Sequence, residues 1–153
     1  MQYLISALLV FTFMAQGAKR AEQDVFSSLS PQQRSQLIQR LGLYLSYERR
    51  QDYGRLYDLL SDETKNPRFL QQIGGLTPLQ SKVEFIKYRK SSYPKLLGFV
   101  PLSCKGMSDG RFEIRGQARL RYKGGVTKQE RIIYAWLRDD VWVFSELNEE
   151  IID

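Results

Sequence analysis

RFEIRGQARLRY, residues 111 to 122, alternates with a period of two: Phe112, Ile114, Ala118, Leu120 and Tyr122 fall on one side, and Glu113, Arg115, Gln117, Arg119 and Arg121 on the other. Successive side chains of a strand point to opposite faces, so the stretch predicts a half-buried β-strand with one core face and one wet face. Just upstream, KLLGFVPLSCKG (residues 95–106) reads as a strand interrupted by Gly98 and Pro101, which suits a bulged or edge strand. The turn residues MSDGR (107–111) close a hairpin between the two. Downstream come VTKQERIIYAWLR (126–138) and VWVFSEL (141–147), preceded by Gly124 and Gly125 and separated by Asp139 and Asp140. Four consecutive antiparallel strands follow from these signals.

Before Pro94 the period is helical. Ser30-Pro-Gln-Gln33 and Thr77-Pro-Leu-Gln80 each offer a hydroxyl N-cap, a proline at the first helical position and a glutamine at N3, the pattern of a capping box. From Ser30, residues Leu37, Leu41, Tyr44, Leu45 and Glu48 follow helical spacing, giving an apolar stripe up to the charged ERRQD segment and a helix end near Arg50. Asp52 then caps a second helix carrying Tyr53, Leu56, Tyr57 and Leu60, so the polar gap at 52–54 is a corner. NPRFLQQIGG (66–75) reads as a short helical turn stopped by two glycines, and the helix from Thr77 is expected to bury Leu79, Val83 and Ile86. Helices first and strands afterwards indicate an α+β domain, with the helices packed on one face of a curved antiparallel sheet.

The chain has 153 residues, 42% hydrophobic and 26% charged, enough for one domain with a single core. Its first 18 residues carry no charged side chain and run apolar from Tyr3 to Met14. That run is shorter than the ~20 residues of a spanning helix. With Ala15 and Gly17 placed for a peptidase, it reads as a signal peptide cleaved near Gly17/Ala18. The expected organisation is thus a leader at 1–18, a linker at 19–29 and the domain at 30–153, with export to the periplasm or the extracellular space. An uncleaved leader acting as a membrane anchor is the competing reading.

Cys104 is the only cysteine and there is no histidine. An intramolecular disulfide and a Cys-His nucleophile are therefore excluded, as is nearly every zinc or copper site. No spaced Asp/Glu cluster suggests an all-carboxylate metal site, and no cofactor motif is present. Cys104 is expected to be a small buried strand residue.

The order of elements resembles the NTF2-like (cystatin-like, SnoaL-like) superfamily. The resemblance rests on RRQDYGRLYDLLS (49–61), on the helix entered at GLTPLQ (75–80) and on the closing strand DDVWVFSEL (139–147), where Trp142 and Phe144 would project inward. It covers about residues 30 to 147. It implies long N-terminal helices on a strongly bent sheet that forms a cone, often hollow in that superfamily, and a homodimer formed through the sheet. Enzymes of the superfamily resembling isomerases or dehydratases use a buried Asp or His facing a polar aromatic donor. With histidine absent, Asp58 beside Tyr57 is the one candidate acid.

Two binding readings follow. Tyr44, Tyr57, Phe85, Tyr134, Trp136 and Trp142 could line a cavity for a small apolar ligand, or simply fill the core. Arg115, Arg119, Arg121 and Lys123 share one side of a single strand, and the chain carries a net charge of +6. Such a face suits an anionic envelope component, with nucleic acid disfavoured outside the cytoplasm, or else serves as a solvated, edge-protecting surface. Lys128 and Arg131 on the next strand have opposite parity, so only one of them can join that face. The expectation is an exported, non-catalytic binding module, with a small-molecule isomerase or dehydratase as the alternative.

Overall fold

The computed structural model describes residues 25–65 and 78–145. The leader, the turn at 66–75, Thr77 and the tail at 146–153 lie outside the described residues. The elements are α1 (Pro31–Arg49), α2 (Tyr53–Asp58), α3 (Asp62–Lys65), α4 (Pro78–Ser92), β1 (Lys95–Gly106), β2 (Phe112–Tyr122), β3 (Gly125–Arg138) and β4 (Val141–Ser145). The strands form one open antiparallel sheet in chain order, β1-β2-β3-β4. The fold is α+β.

The capping signals work as their chemistry requires. Ser30 Oγ accepts from the Gln33 N–H at 3.2 Å while Gln33 Oε1 accepts from the Ser30 N–H, so two of the orphan donors of α1 are satisfied reciprocally. Asp52 Oδ1 accepts from the Arg55 N–H at 3.3 Å and starts α2. Between the helices Gln51 takes φ 58°, and the Asp52 N–H bonds back to the Tyr47 carbonyl. That makes the corner.

The buried stripe of α1 is Leu37, Leu41, Tyr44 and Glu48. Glu48 does not terminate the stripe; it is its last buried turn. On α4 the expected face is rotated. Val83 is exposed, Ser81 and Arg89 are buried, and Phe85 and Ile86 are half-buried. The reason is that α4 buries an arginine where an apolar residue would have marked the stripe. The side chain of Leu79 lies outside the described residues.

Each hairpin has the turn chemistry it needs. Asp139 and Asp140 adopt φ 48° and 61° between the paired Arg138 and Val141, a two-residue turn whose twist matches the strands. Strand β1 shifts register at Leu96/Gly98 and at Pro101/Ser103, so the expected interruptions are bulges on an edge strand. The β4 edge is partly covered, because Phe144 exchanges backbone hydrogen bonds with Leu59 and Ser61 after the α2 turn.

One main core joins helices to sheet: Leu37, Leu41 and Tyr44 of α1 and Leu56 and Tyr57 of α2 meet Ile114, Ile133, Ala135, Trp142 and Phe144. Phe26 and Leu29 are buried in the same cluster. The folded unit therefore begins before Ser30: Phe26 and Leu29, expected in the linker, are core residues. A smaller cluster of Leu96, Ala118 and Leu120 continues the inner face toward the β2–β3 turn.

Candidate binding faces of the sheet

The six aromatic residues singled out from the sequence divide between the two faces of the sheet. Tyr44, Tyr57 and Trp142 belong to the core cluster on the inner face, with Phe85 packed against it. Tyr134 and Trp136 belong to neither apolar cluster. They alternate with the inward Ile133 and Ala135 and so point to the outer face. The six do not line one cavity. The inner rings are also engaged with neighbours: Tyr44 lies 4.9 Å from Phe144, Tyr57 lies 5.4 Å from Phe85, and Phe112 meets Trp142 edge-on at 5.5 Å.

Beside these rings sits an ionic cluster that the sequence reading missed. Arg131, opposite Gly116 in the ladder, points inward and donates from Nη1 to Glu48 Oε1 at 2.8 Å. Arg89 Nη1 lies 3.7 Å from the same oxygen, and its guanidinium stacks 3.9 Å from the ring centre of Tyr93. Arg131 Nη2 reaches the Tyr44 hydroxyl at 3.5 Å. The parity rule allows only one of Lys128 and Arg131 on the outer face, and the register makes it Lys128, which is exposed. The spacing of Glu48 and the parity of Arg131 are legible in the chain, but a charged residue marks a core position only once its partner is known.

On the outer face, the half nearest β4 is covered by arginines stacked on rings. The guanidinium of Arg111 lies 4.8 Å from the centre of Tyr134 and 5.6 Å from Trp136, and that of Arg138 lies 5.1 Å from Trp136. These cations are themselves paired, Arg111 with Asp109 and Arg138 with Glu63. The Arg111 guanidinium, donating to Asp109, holds that carboxyl below its ordinary value. Arg115 is also neutralised, by Glu113 and by Glu130 at 3.0 Å.

The half nearest the β2–β3 turn is different. Lys95 stands opposite Arg121, and Arg119 opposite Lys128, in adjacent rows across three strands. All four are exposed, and none has an acidic partner among the described residues. Lys123, also exposed, continues the group into the turn. Exposed Val126 and Val100 flank it in the same rows or the next. Directly opposed side chains sit with Cβ atoms about 4.5–5.5 Å apart, and like charges at that separation are destabilising. Of the basic residues singled out from the sequence, Arg119, Arg121 and Lys123 thus remain unneutralised while Arg115 does not.

Asp58 is on the surface. Its side chain is 61% exposed and is held by Lys82 Nζ at 2.7 Å. Tyr57, one residue earlier, is buried; burial raises its phenol above the ordinary value against the opposing hydrogen bond with Ser81. A carboxylate in water across a helix edge from the tyrosine is not the buried acid facing a donor that isomerase chemistry requires. Cys104 is half-buried against the core, and burial pushes its thiol up to about 11. Among the described residues no group of three or more acidic or sulfur ligands could hold a metal, and no helix is long and apolar enough to cross a membrane.

No protein-family model matches the chain, and no curated protein matches it in sequence.

Proposed function

We propose that this is an exported, non-catalytic binding domain of the NTF2-like type, whose outer sheet face holds an anionic partner. The α+β order of elements supports the fold resemblance, and the charge-free apolar leader supports export. The observation that carries the binding reading is the pair of opposed like-charge contacts, Lys95 with Arg121 and Arg119 with Lys128. Elsewhere on the same face Arg111, Arg115 and Arg138 have acids beside them. Concentrating the unneutralised cations in one patch costs stability in the free domain, and an anion bound over them offsets that cost.

Retention on immobilised polyphosphate tests the reading. Arg119→Glu with Arg121→Glu is expected to shift elution to markedly lower salt than Arg49→Glu with Arg50→Glu, which changes net charge equally on an exposed stretch of α1 and its cap. Equal shifts would show that net charge alone is being read, and the proposal would fall.

A second reading, a small apolar ligand on the inner face, is favoured by one observation. The Trp142 indole N–H is buried with no acceptor among the described residues, although a buried indole ordinarily finds one. Native mass spectrometry of the purified protein checks for a retained ligand; a clean apo mass would count against it. The isomerase or dehydratase alternative has no buried acid to support it at Asp58.

A further inference from the structure

Resting on the anionic-partner reading above, we infer that the patch formed by Lys95, Arg119, Arg121 and Lys128 with Val100 and Val126 docks on the headgroup plane of an anionic lipid bilayer. Three features of the patch select a bilayer from among anionic partners.

The first is its shape. The cations do not run along a groove but occupy two adjacent rows spanning β1, β2 and β3, a two-dimensional array. A linear polyanion would follow one row, whereas a plane of headgroups can meet all of them. Each such contact draws on the negative surface potential of an anionic leaflet.

The second is the valines. Val126 lies in the row of Lys95 and Arg121, and Val100 lies one row beyond Arg119 and Lys128, beside Gln117. They are 52% and 61% exposed. A hydrated polymer gains little from covering them. At the boundary between headgroups and acyl chains the apolar tips and the cations can be satisfied together, which is the usual physics of a protein lying on a membrane surface.

The third is the neighbourhood. The acid nearest the patch on this face, Glu130, is engaged by Arg115 at 3.0 Å; Arg115 also holds Glu113, and Lys105 stands opposite Glu113 in the ladder, so two cations face the two carboxylates. Repulsion from the same side of the sheet is thereby limited.

The test is vesicle co-sedimentation of the full chain, with phosphatidylglycerol vesicles and phosphatidylcholine vesicles run in parallel at low salt. Lys19, Arg20 and exposed cations elsewhere also favour the anionic lipid, so the face is read from the change that substitutions on it make in the difference between the two lipids, against Arg49→Gln with Arg50→Gln as the equal change in net charge. Each cation removed should weaken that difference roughly fivefold, so Arg119→Gln with Arg121→Gln should weaken it about 25-fold. Val100→Ser with Val126→Ser should weaken it several-fold without changing net charge. All four positions are exposed, and an unchanged circular dichroism spectrum verifies folding. A preference for phosphatidylglycerol that both pairs of substitutions reduce supports docking on lipid. Binding to soluble polyphosphate with no lipid preference, or a lipid preference indifferent to the valines, overturns the bilayer while leaving the anionic face standing. Binding to neither overturns both.

Discussion

Arg131 on β3 and Glu48 on α1, 83 residues apart in the chain, meet at 2.8 Å on the inner face of the sheet, with Glu48 almost wholly buried and Arg131 nearly so. The contact ties the last buried turn of the long helix to the centre of the sheet. Arg89 of α4 approaches the same carboxylate, so three elements converge on one side chain. Removing one member of a buried pair leaves the other charged and desolvated, at a cost of about 3–5 kcal/mol. Glu48→Gln, which leaves the Arg89 and Arg131 cations without their shared acid, should destabilise by about that much in urea unfolding, and Arg131→Met by less, because Arg89 still faces the carboxylate. The double variant should cost less than the sum, because one of the two cations left behind by Glu48→Gln is then removed while Arg89 stays. Strict additivity would show that the two side chains are not coupled.

Gly116 is held by a close approach. A Cβ there would come well within 3.0 Å of both the Phe99 ring and the Val100 carbonyl oxygen. Phe99 stands opposite Ala118, two residue pairs from Gly116 and on the same inner face, so its ring reaches across the glycine. Gly116→Ala should therefore destabilise by about 1–3 kcal/mol through overpacking. Adding Phe99→Leu should recover only part of the loss, since the carbonyl belongs to the backbone and cannot be trimmed. Full recovery would mean that the ring alone sets the constraint.

These two sites also show what the sequence made legible and what it did not. Period-two alternation in β2 separated the buried from the exposed positions between 114 and 121, because one side is core and the other is water; it failed at the strand end, where Tyr122, assigned to the core side, is exposed. In β3 the run Ile132 to Leu137 is apolar on both faces, so alternation gives no contrast and Tyr134 and Trp136 could not be assigned. What covers them outside includes the stacked Arg111 and Arg138, and such packing across strands leaves no periodic trace in the chain. Glu48 and Arg89 followed helical spacing, but each makes sense at a buried position only beside the other. The cation patch was legible in β2 alone; that Lys95 and Lys128 complete it depends on the bulge and the register.

Titration offers a check on two separate environments. Asp109 has its folded value depressed by Arg111, so its contribution is present above the ordinary carboxylate range and is lost as pH falls through that depressed value. Asp109→Asn should lower stability at neutral pH and converge on the parent once pH has fallen below the depressed value, which flattens the acid limb of a stability–pH curve. Cys104 has the opposite sign. Its thiol, raised from 9.0 to about 11 by burial, stays protonated while an unfolded thiol ionises, so stability falls as pH rises from about 9 to about 11. Cys104→Ala should remove that alkaline fall, and alkylation of the native thiol at pH 8 should be far slower than after unfolding. Native labelling at the unfolded rate would show that the thiol is not shielded.

Asp58 separates a surface ion pair from a catalytic acid. Its contact with Lys82 is largely in water, where such pairs contribute at most about 1 kcal/mol. Asp58→Asn should leave the melting temperature within a few degrees of the parent. Should any turnover of a small carbonyl compound be detected, it should survive this change; its loss would revive the isomerase reading against the exposed geometry.

The outer patch makes a prediction whose sign separates binding from mere solubility. If Arg119 served only to keep the face wet or to guard against strand pairing, glutamate would serve as well, and its replacement would alter stability little. The register makes a more specific demand. Arg119 stands opposite Lys128, diagonal to Lys95 and two residues from Arg121, so glutamate at 119 exchanges three repulsions for three attractions. Arg119→Glu should raise stability by about 0.2–1 kcal/mol at low ionic strength, an advantage that fades as salt screens the surface. The same substitution should weaken retention by the anionic matrix. A variant more stable than the parent yet poorer at binding would mean that the natural arrangement forgoes stability to keep cations together, as expected of a site and not of a solvated face. No change in stability, or a loss, would mean that the opposed cations do not strain the free sheet and would remove the observation on which the anionic-partner reading stands.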